Sequence, residues 1–411
     1  MSTRVNRRDD FPALRRQIDG QPMSYLDSAA TSLKPDSVIR AVTEYYECNG
    51  SNIHRGKHRL SEEASDAYEA SRVRIADHIG AAANEVVLLR NTSEALNLVA
   101  SGLDLEPDAS IVGCFDAHHS QLLPWRRAGR LEPTRVDRHG RLDRDHFRTL
   151  LRGNPRVVAL THCSNVTGVV HPVAELIAEV RAACDAIIVL DSAQFLPHER
   201  INVRELDADF VAFSMHKMLG PTGVGCLYGR AARLDALRPM VVGGGMVDWV
   251  DVERSVDRRI PYRFESGTPA IASIIGCAAA IDYLEALDQA DRAAHERELC
   301  AALVSGALAR PGIKLIGPPE TTDRIALATL SLGEAVPTGE VARLLSDSYG
   351  YMVRSGHMCA QPLVTWLAGG ETLRVSAYLY NEVAEIDGFY AALDELLALL
   401  GPATLVSGAR R

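Results

Sequence analysis

Short apolar runs alternate with segments of helical periodicity through the first two thirds of the chain. The runs are rich in Val, Ile, Leu, Phe and Ala and show no polar face, so each predicts a strand buried on both sides. The predicted strands are Val86–Arg90, Ile111–Phe115, Val157–Thr161, Ile187–Asp191 and Asp209–Phe213. Helical patterns such as Ala174–Cys184 lie between them. This alternation predicts right-handed crossover connections and a mostly parallel sheet in an α/β fold.

The pattern changes in the last third, where a long apolar helix runs into a charged stretch and a second α+β pattern begins. The predicted order is a helix over Ile271–Leu287, the charged segment Asp288–Glu298, a new helix, a strand over Ala326–Leu332, and helices over Glu340–Ser348 and Val383–Leu400. We therefore expect a large α/β domain over residues 22–288 and a small α+β domain over residues 1–21 and 289–411. The first twenty residues are expected to pack on the small domain, ahead of a segment, Ser24–Ala30, that enters the site.

Composition narrows the class of protein. The chain has 411 residues, of which 47% are hydrophobic and 24% charged, with a formal net charge of −9. The arginines are spread along the chain, so the composition argues against a nucleic-acid partner. No apolar run reaches the roughly 18 residues needed to cross a bilayer, and the polar first ten residues do not resemble a signal peptide. We expect a cytoplasmic protein without a membrane partner.

The eight cysteines show no CxxC spacing, so a zinc ribbon, a thioredoxin-like motif or a disulfide framework is not expected. His54 and His58 have i,i+4 spacing, but Gly56 lies between them and the glutamate of a zinc-protease helix is missing, so no metal is predicted. Cys359 differs from the other cysteines because it lies in a polar loop beside Arg354 and His357, where a thiol can be partly ionised. It is a candidate nucleophile, and the alternative is an idle loop cysteine.

Lysine is rare in this chain, since only four of the 44 Lys+Arg positions are lysine. Lys217 follows a predicted buried strand and precedes a turn, so it lies where a sheet delivers side chains to a cleft. Unlike a guanidinium, its amine can lose a proton and condense with an aldehyde. We interpret Lys217 as a Schiff-base lysine. Lys34, Lys57 and Lys314 are interpreted as incidental.

A Schiff-base lysine requires a carbonyl cofactor, and pyridoxal phosphate needs an anion site and a carboxylate for its ring nitrogen. The segment Asn91–Glu94 opens a predicted helix over Ala95–Gly102, where free N–H groups and hydroxyls suit a phosphate. The alternative is a plain helix cap. Asp191 ends a strand and would keep the pyridine nitrogen protonated, although such residues also cap loops. Gln194 is a candidate for the ring oxygen.

His118 follows another predicted strand and is a candidate to stack on the cofactor ring and to move a proton, because imidazole titrates near neutrality. The alternative is that His118 and His119 form an exposed pair.

Together, eight motifs resemble the Suf-type (group II) cysteine desulfurase and selenocysteine lyase family, in the class V aminotransferase group of fold-type I pyridoxal-phosphate enzymes. The motifs are Tyr25–Thr31, Asn52–Gly56, His118-His119, Ser164–Gly168, Asp191–Gln194, Ser214–Lys217, Phe264–Pro269 and Arg354–Cys359. Their order and spacing match over nearly the whole chain.

The resemblance implies specific roles for the following cofactor-binding, substrate-binding and catalytic residues. It implies Lys217 as the Schiff-base lysine, Asp191 at the pyridine nitrogen, His118 stacked on the ring, Gln194 at the ring oxygen and Asn165 near cofactor and substrate. For the phosphate it implies Thr92, Ser93, Ser214 and His216, with Thr268 contributed by the other subunit of a homodimer. Arg374 matches the arginine that binds the substrate carboxylate, and Ala29, His54 and Arg354 are further substrate-binding candidates. Cys359 matches the persulfide-forming cysteine.

The function expected from the resemblance is conversion of L-cysteine to L-alanine, with the sulfur transferred to Cys359 and then to an acceptor protein or small thiol. Selenocysteine is a possible substrate. Met358 and Gln361, on either side of Cys359, depart from the commonest pattern of the family. One alternative is a C–S lyase, epimerase or aminotransferase acting on an S-substituted cysteine or another amino acid, with Cys359 idle. Another is a non-catalytic cofactor-binding or sulfur-carrier protein.

Overall fold

The computed structural model describes residues 7–404, without the side chains of residues 401–404. Its strands are β1 Gln17–Ile18, β2 Gln21–Pro22, β3 Ser24–Tyr25, β4 Val86–Leu89, β5 Ser110–Cys114, β6 Arg130–Thr134, β7 Val157–Thr161, β8 Ile187–Asp191, β9 Phe210–Ser214, β10 Gly225–Gly229, β11 Val247–Val250, β12 Ser255–Asp257, β13 Lys314–Ile316, β14 Leu327–Ser331, β15 Tyr351–Met352, β16 Arg354–Gly356 and β17 Thr372–Ser376. Its α-helices are α1 Asp36–Cys48, α2 Arg59–His78, α3 Thr92–Gly102, α4 His119–Ala128, α5 Arg144–Leu151, α6 Val173–Ala183, α7 Val203–Leu206, α8 Ala231–Ala236, α9 Ile271–Glu285, α10 Gln289–Leu308, α11 Thr338–Tyr349, α12 Gln361–Ala368 and α13 Val383–Thr404.

The central feature is a seven-stranded sheet in the order β4-β10-β9-β8-β7-β5-β6. Strands β6, β5, β7, β8 and β9 pair in parallel, whereas β10 is antiparallel to both of its neighbours, β9 and β4. The carboxyl ends of the parallel strands therefore meet at one edge of the sheet. In folds of this kind, that edge is where ligand-binding side chains gather.

The core is divided by this sheet, because successive side chains of a strand point to opposite faces. On strand β8, Ile188 and Leu190 face a core shared with α1, α2, α6 and α9, while Ile187 and Val189 face a second core shared with α3 and α8. Each of these four side chains is buried. Burial on both faces explains why the strands have continuous apolar sequences.

A second, antiparallel sheet in the order β13-β14-β17-β16 lies in the C-terminal part of the chain. One face of this sheet packs on α10 and α13 through residues such as Leu303, Leu330, Val375 and Phe389. The segment after β3 joins this sheet as well, since Asp27 forms a parallel bridge with Ser376. The large mixed sheet and the smaller α+β unit confirm the fold class predicted from the sequence.

Several predicted boundaries need correction. The new helix expected after the charged segment Asp288–Glu298 begins inside that segment instead, because α10 starts at Gln289, with the Asp288 side chain accepting the N–H of Asp291. The first residues do not pack on the small unit alone. Phe11 contacts Tyr283 of α9 and also Tyr380, and Arg8 pairs with Glu385 of α13. The division of the chain at residues 288 and 289 falls between α9 and α10.

Within residues 7–404, none of the helices is long and apolar enough to cross a membrane.

Candidate active site

A cleft with a volume of about 290 Å³ lies at the carboxyl edge of the large sheet. The side chains around it come from both halves of the chain. They are Ala29, Ala30, Asn91, Thr92, Ser93, His118, Ser120, Thr161, Cys163, Asn165, Asp191, Ala193, Gln194, Ser214, His216, Lys217, Arg354, Met358, Cys359 and Arg374. Every candidate residue predicted from the sequence lies here except His54 and Thr268.

Lys217 is carried into the cleft by β9 and the short 3-10 turn Met215–Lys217 that follows it. Burial, together with a smaller effect of the nearby Arg374, lowers the pKa of the Lys217 ammonium to about 8, although the Asp191 carboxylate opposes the shift. A substantial fraction of the amine is therefore neutral at physiological pH, which a nucleophilic amine requires.

Lys34 holds this turn in place, so its interpretation as an incidental lysine is wrong. Its Nζ donates to the carbonyl oxygen of His216 at 2.9 Å and to that of Ser32. Burial lowers the pKa of Lys34 to about 8. Lys34 thus holds the backbone carbonyl of His216, the residue before Lys217.

Asp191 ends β8 beside Thr161, which ends β7 in the same register. The backbone N–H of Ala193 donates to Asp191 Oδ1 at 3.0 Å. Burial raises the pKa of this carboxyl, and the Lys217 ammonium opposes that rise. Gln194, in the loop that follows, donates from Nε2 to the carbonyl of Ala29 at 2.8 Å, which ties the N-terminal segment to the cleft.

The N-terminus of α3 forms the other end of the cleft. Asn91 caps this helix by accepting the N–H of Glu94 at 2.9 Å. The hydroxyl of Ser214 accepts the N–H of Thr92 at 2.8 Å and lies 2.5 Å from the Thr92 hydroxyl. Glu94 turns away, because its carboxylate accepts the N–H of Arg90. Hydroxyls and the positive end of the helix therefore meet without a carboxylate, which suits an anion.

His118 caps α4, and its Nδ1 accepts the N–H of Ser120 at 3.1 Å. Burial lowers the pKa of His118 to about 4, with a further contribution from the Lys217 ammonium. The imidazole is therefore neutral near pH 7, with Nδ1 as an acceptor. Burial likewise lowers the pKa of His216 to about 4. His118 faces the cleft, in contrast to the alternative of an exposed pair.

The guanidinium of Arg374 is buried on β17, where its Nη1 donates to the carbonyl of Asn165 at 3.0 Å. Asp27 accepts from Arg374 Nη2 at 3.1 Å and from Arg354 Nε, also at 3.1 Å. Sequence reasoning missed Asp27, although it lies inside the quoted motif Tyr25–Thr31. Asp27 could have been predicted as a site residue, because it is a carboxylate in a segment that was expected to enter the site.

Cys359 is exposed on a short loop, whereas the residues on either side of it, Met358 and Ala360, are buried. The backbone N–H of His119 donates to the Cys359 carbonyl at 2.7 Å, and Asn165 Nδ2 donates to the carbonyl of Met358 at 2.7 Å. Both Met358 and Cys359 have positive φ angles, of 51° and 53°. Non-glycine residues in this region cost roughly 1–2 kcal/mol each, so the two carbonyl contacts hold the backbone of this loop in a strained conformation.

His54 and Thr268 lie outside this cleft, in a second surface cavity of about 250 Å³ that also includes Tyr68 and Tyr262. The Nε2 of His54 is 2.9 Å from a carboxylate oxygen of Glu69. Within one copy of the chain these residues do not join Lys217. Thr161 and Ser120, by contrast, line the cleft and were not predicted. Thr161 could have been predicted, because it ends a strand next to the one that Asp191 ends.

The model of the family "Aminotransferase class-V" matches residues 24–389, and this range includes every residue of the candidate site. A relative described as a probable cysteine desulfurase, from Halalkalibacterium halodurans, is 39% identical over 400 residues, which cover 95% of this chain and 97% of the relative. The apo structure of a cysteine desulfurase from Thermococcus onnurineus superposes with a TM-score of 0.88 at 38% identity, over 95% of this chain and 99% of that one. The cysteine desulfurase CsdA of Escherichia coli gives a TM-score of 0.86 at 32% identity, over 98% and 100%. The chain therefore belongs to the class V aminotransferase family and, within it, to the cysteine desulfurases.

Proposed function

We propose that this protein binds pyridoxal phosphate at Lys217 and converts L-cysteine to L-alanine, with the sulfur transferred to Cys359 as a persulfide. The relatives named as cysteine desulfurases support the overall reaction. The observation that carries the role of Cys359 is its position, since this exposed cysteine lies on the same cleft as Lys217.

The residues around the cleft fit the cofactor. Two buried polar atoms of residues that line it, Arg374 Nε and Thr161 Oγ1, have no hydrogen-bond partner among the described residues, as expected where a bound polar ligand supplies the partner. Lys217 would hold the cofactor covalently, Asp191 would pair with its ring nitrogen and His118 would stack on the ring. Gln194 would donate to the ring oxygen. When bound, pyridoxal phosphate acts as an electron sink that makes the Cα proton of an amino acid removable.

The phosphate would be held by the hydroxyls of Thr92, Ser93 and Ser214 and by His216, at the N-terminus of α3. This end of the cleft combines the positive end of α3 with hydroxyl groups. Such an arrangement fixes the cofactor at both ends.

The amino-acid substrate would be held by Arg374, whose guanidinium is buried and rigidly supported by Asn165 and Asp27. Bidentate binding of the substrate carboxylate would hold the amino acid in one orientation in the cleft that Lys217 also lines. Because burial lowers the pKa of Lys217 to about 8, its Nζ is suited to accept this proton and to return one later. His118, neutral near pH 7, is placed to relay a second proton.

The sulfur of Cys359 would then attack the sulfur of the substrate. An S–S bond forms between Cys359 Sγ and the substrate sulfur as the substrate Cβ–S bond breaks. The electron pair of the broken bond stays on the carbon fragment, which takes up a proton and leaves as alanine. The two carbonyl contacts of the loop support this step because they keep the backbone of Cys359 beside the cleft.

His54 and Thr268 enter the proposal through a second copy of the chain. Their distance from Lys217 within one copy is consistent with a homodimer in which Thr268 of one subunit serves the phosphate of the other. A sulfur acceptor, protein or small thiol, would then take the persulfide sulfur at the exposed Cys359. A cytoplasmic location stays a prediction from the sequence.

The experiment is the replacement of Cys359 by alanine, compared with the same replacement at Cys48, the other exposed cysteine among the described residues. Both variants are loaded with cofactor and given L-cysteine and a reductant, and alanine and sulfide are measured. We expect Cys359→Ala to lose nearly all turnover while keeping the cofactor colour, and Cys48→Ala to resemble the wild type. Full turnover in Cys359→Ala would refute the proposed sulfur transfer and favour a lyase in which Cys359 is idle.

A further inference from the structure

Two loops of the large sheet hold the loop that contains Cys359. The loop after β5 ends at His119, whose backbone N–H donates to the carbonyl of Cys359 at 2.7 Å. The loop after β7 carries Asn165, whose Nδ2 donates to the carbonyl of Met358 at 2.7 Å. The backbone of the Cys359 loop therefore keeps its place only as long as these two anchoring loops keep their separation.

A buried histidine–aspartate pair joins the two anchoring loops to each other. His171, in the loop after β7, donates from Nε2 to Asp116 Oδ2, in the loop after β5, at 2.8 Å. The two side chains are 2% and 0% exposed. The N–H of His171 also donates to the carbonyl of His162, directly after β7, at 2.9 Å. Each of the three loops is thus bonded to the other two.

The pair is poorly suited to a role in stability alone. Asp116 Oδ1 is buried and has no hydrogen-bond partner among the described residues. Burial and, in second place, the Asp116 carboxylate raise the pKa of the Cys114 and Cys163 thiols, so both lie close to Asp116 as neutral groups. In such surroundings, apolar side chains of similar volume often give the same stability or more. What a hydrogen bond adds over apolar contact is a defined distance and direction between the two loops.

We propose that Asp116 and His171 are positioning residues for Cys359, acting by fixing the separation of the two loops that anchor its backbone. Without the pair, the loop after β7 moves relative to the loop after β5, and the bond from His119 to the Cys359 carbonyl opens more often. The catalytic consequence rests on the proposed function, since sulfur transfer requires Cys359 beside the substrate. Neither residue of the pair lines the cleft, so the contacts to substrate and cofactor are unchanged.

The test is hydrogen exchange of the His119 N–H in protein loaded with pyridoxal phosphate. In His171→Ala the replaced side chain belongs to the other loop, so faster exchange at His119 reports transmission through the pair. We expect exchange roughly tenfold faster than in the wild type. The double variant Asp116→Ala/His171→Ala leaves no unpaired carboxylate. It should give a similar increase, and it carries the test if His171→Ala does not fold.

His78→Ala is the matched control. His78 is also buried, and its Nδ1 lies 2.8 Å from a carboxylate oxygen of Glu285, but neither residue lines the cleft or touches the three loops. This variant loses a comparable buried pair, and its exchange at His119 should stay within about twofold of the wild type. Unchanged exchange in the His171 variants, or an equal increase in His78→Ala, would overturn the proposal.

Steady-state kinetics separates positioning from substrate binding. His171→Ala should lower kcat for alanine formation from L-cysteine roughly tenfold and leave KM within about twofold, because the residues of the cleft are unchanged. A higher KM with the wild-type kcat would contradict the positioning role. If the proposed desulfuration itself fails, the wild type also forms no alanine, while exchange at His119 still rises in the variants.

Discussion

Replacing Lys217 by methionine should stabilise the protein freed of pyridoxal phosphate. Burial lowers the pKa of Lys217 from the ordinary value of 10.5 to about 8, so holding a proton on this amine disfavours the folded state. The full difference corresponds to about 3 kcal/mol in the free energy of unfolding. Because the side chain is partly open to the cleft, solvent screening reduces this value, and we expect a gain of about 1–3 kcal/mol at pH 7.

The sign of the pH dependence follows from proton binding. Between pH 8 and 10.5 the unfolded chain holds more protons on this lysine than the folded chain, so the stability of the wild type rises with pH in that range. Methionine has no proton to lose. The advantage of Lys217→Met should therefore be full at pH 7 and should shrink by more than half at about pH 9.5.

The assay is urea denaturation of both proteins without cofactor, at the two pH values, followed by circular dichroism. Lys57→Met is the control, since Lys57 is exposed and its replacement should give no pH-dependent gain. A variant that is less stable than the wild type at pH 7, or whose gain is the same at both pH values, would refute the reasoning that burial of the amine costs stability.

Three further outcomes are expected. Glu265→Ala should lower the free energy of unfolding by about 3–5 kcal/mol, because the buried Arg72 loses the carboxylate that accepts from both of its Nη atoms and keeps only the ion pair with the half-buried Glu69. Glu63→Ala, which removes an exposed partner of Arg59, should change it by about 1 kcal/mol or less, and urea denaturation measures both. His119→Ala should lower kcat for desulfuration by roughly tenfold with little change in KM, because the Gln361 N–H loses its acceptor at His119 Nε2, and His119→Gln should recover part of the loss. In mixed dimers of a Thr268→Ala subunit with a Lys217→Ala subunit, one site of the two should bind cofactor with wild-type affinity, and two weak sites would contradict the contribution of Thr268 across the interface.

The parallel strands were predictable because burial on both faces leaves a strong sequence signal. The runs Val157–Thr161 and Ile187–Asp191 match β7 and β8 residue for residue, and the other three predicted strands differ by one residue at one or both ends. The site residues at the carboxyl ends of these strands, such as Asp191, could be predicted for the same reason. Position at a strand end determines which edge of the sheet a side chain reaches.

Strand β10 was missed because its sequence, Gly225-Cys226-Leu227-Tyr228-Gly229, has glycine at both ends and little β-branched content. The structure explains the first glycine. A Cβ at Gly225 would lie 2.3 Å from the backbone of Asn91, so close packing against the cap of α3 excludes any other residue. Such a requirement depends on a chain segment more than a hundred residues away and leaves no local pattern.

Asp27 was missed for a similar reason. Its partners Arg354 and Arg374 are 327 and 347 positions distant in the sequence. Charge pairing of this kind is set by the pairing of β16 with β17 and by the segment that bridges to Ser376. The strands and the residues at their ends can be predicted from local sequence. The contacts between the N-terminal segment and the second sheet cannot, because they form only in the complete fold.

The anchoring of the Cys359 loop limits how sulfur can leave the protein. The carbonyl of Cys359 is bound by His119 at the start of α4, and both neighbours of the cysteine, Met358 and Ala360, are buried. The backbone on both sides of the cysteine is thus anchored to the body of the protein. Under the proposed function, a sulfur acceptor would therefore have to reach Cys359 at the rim of the cleft.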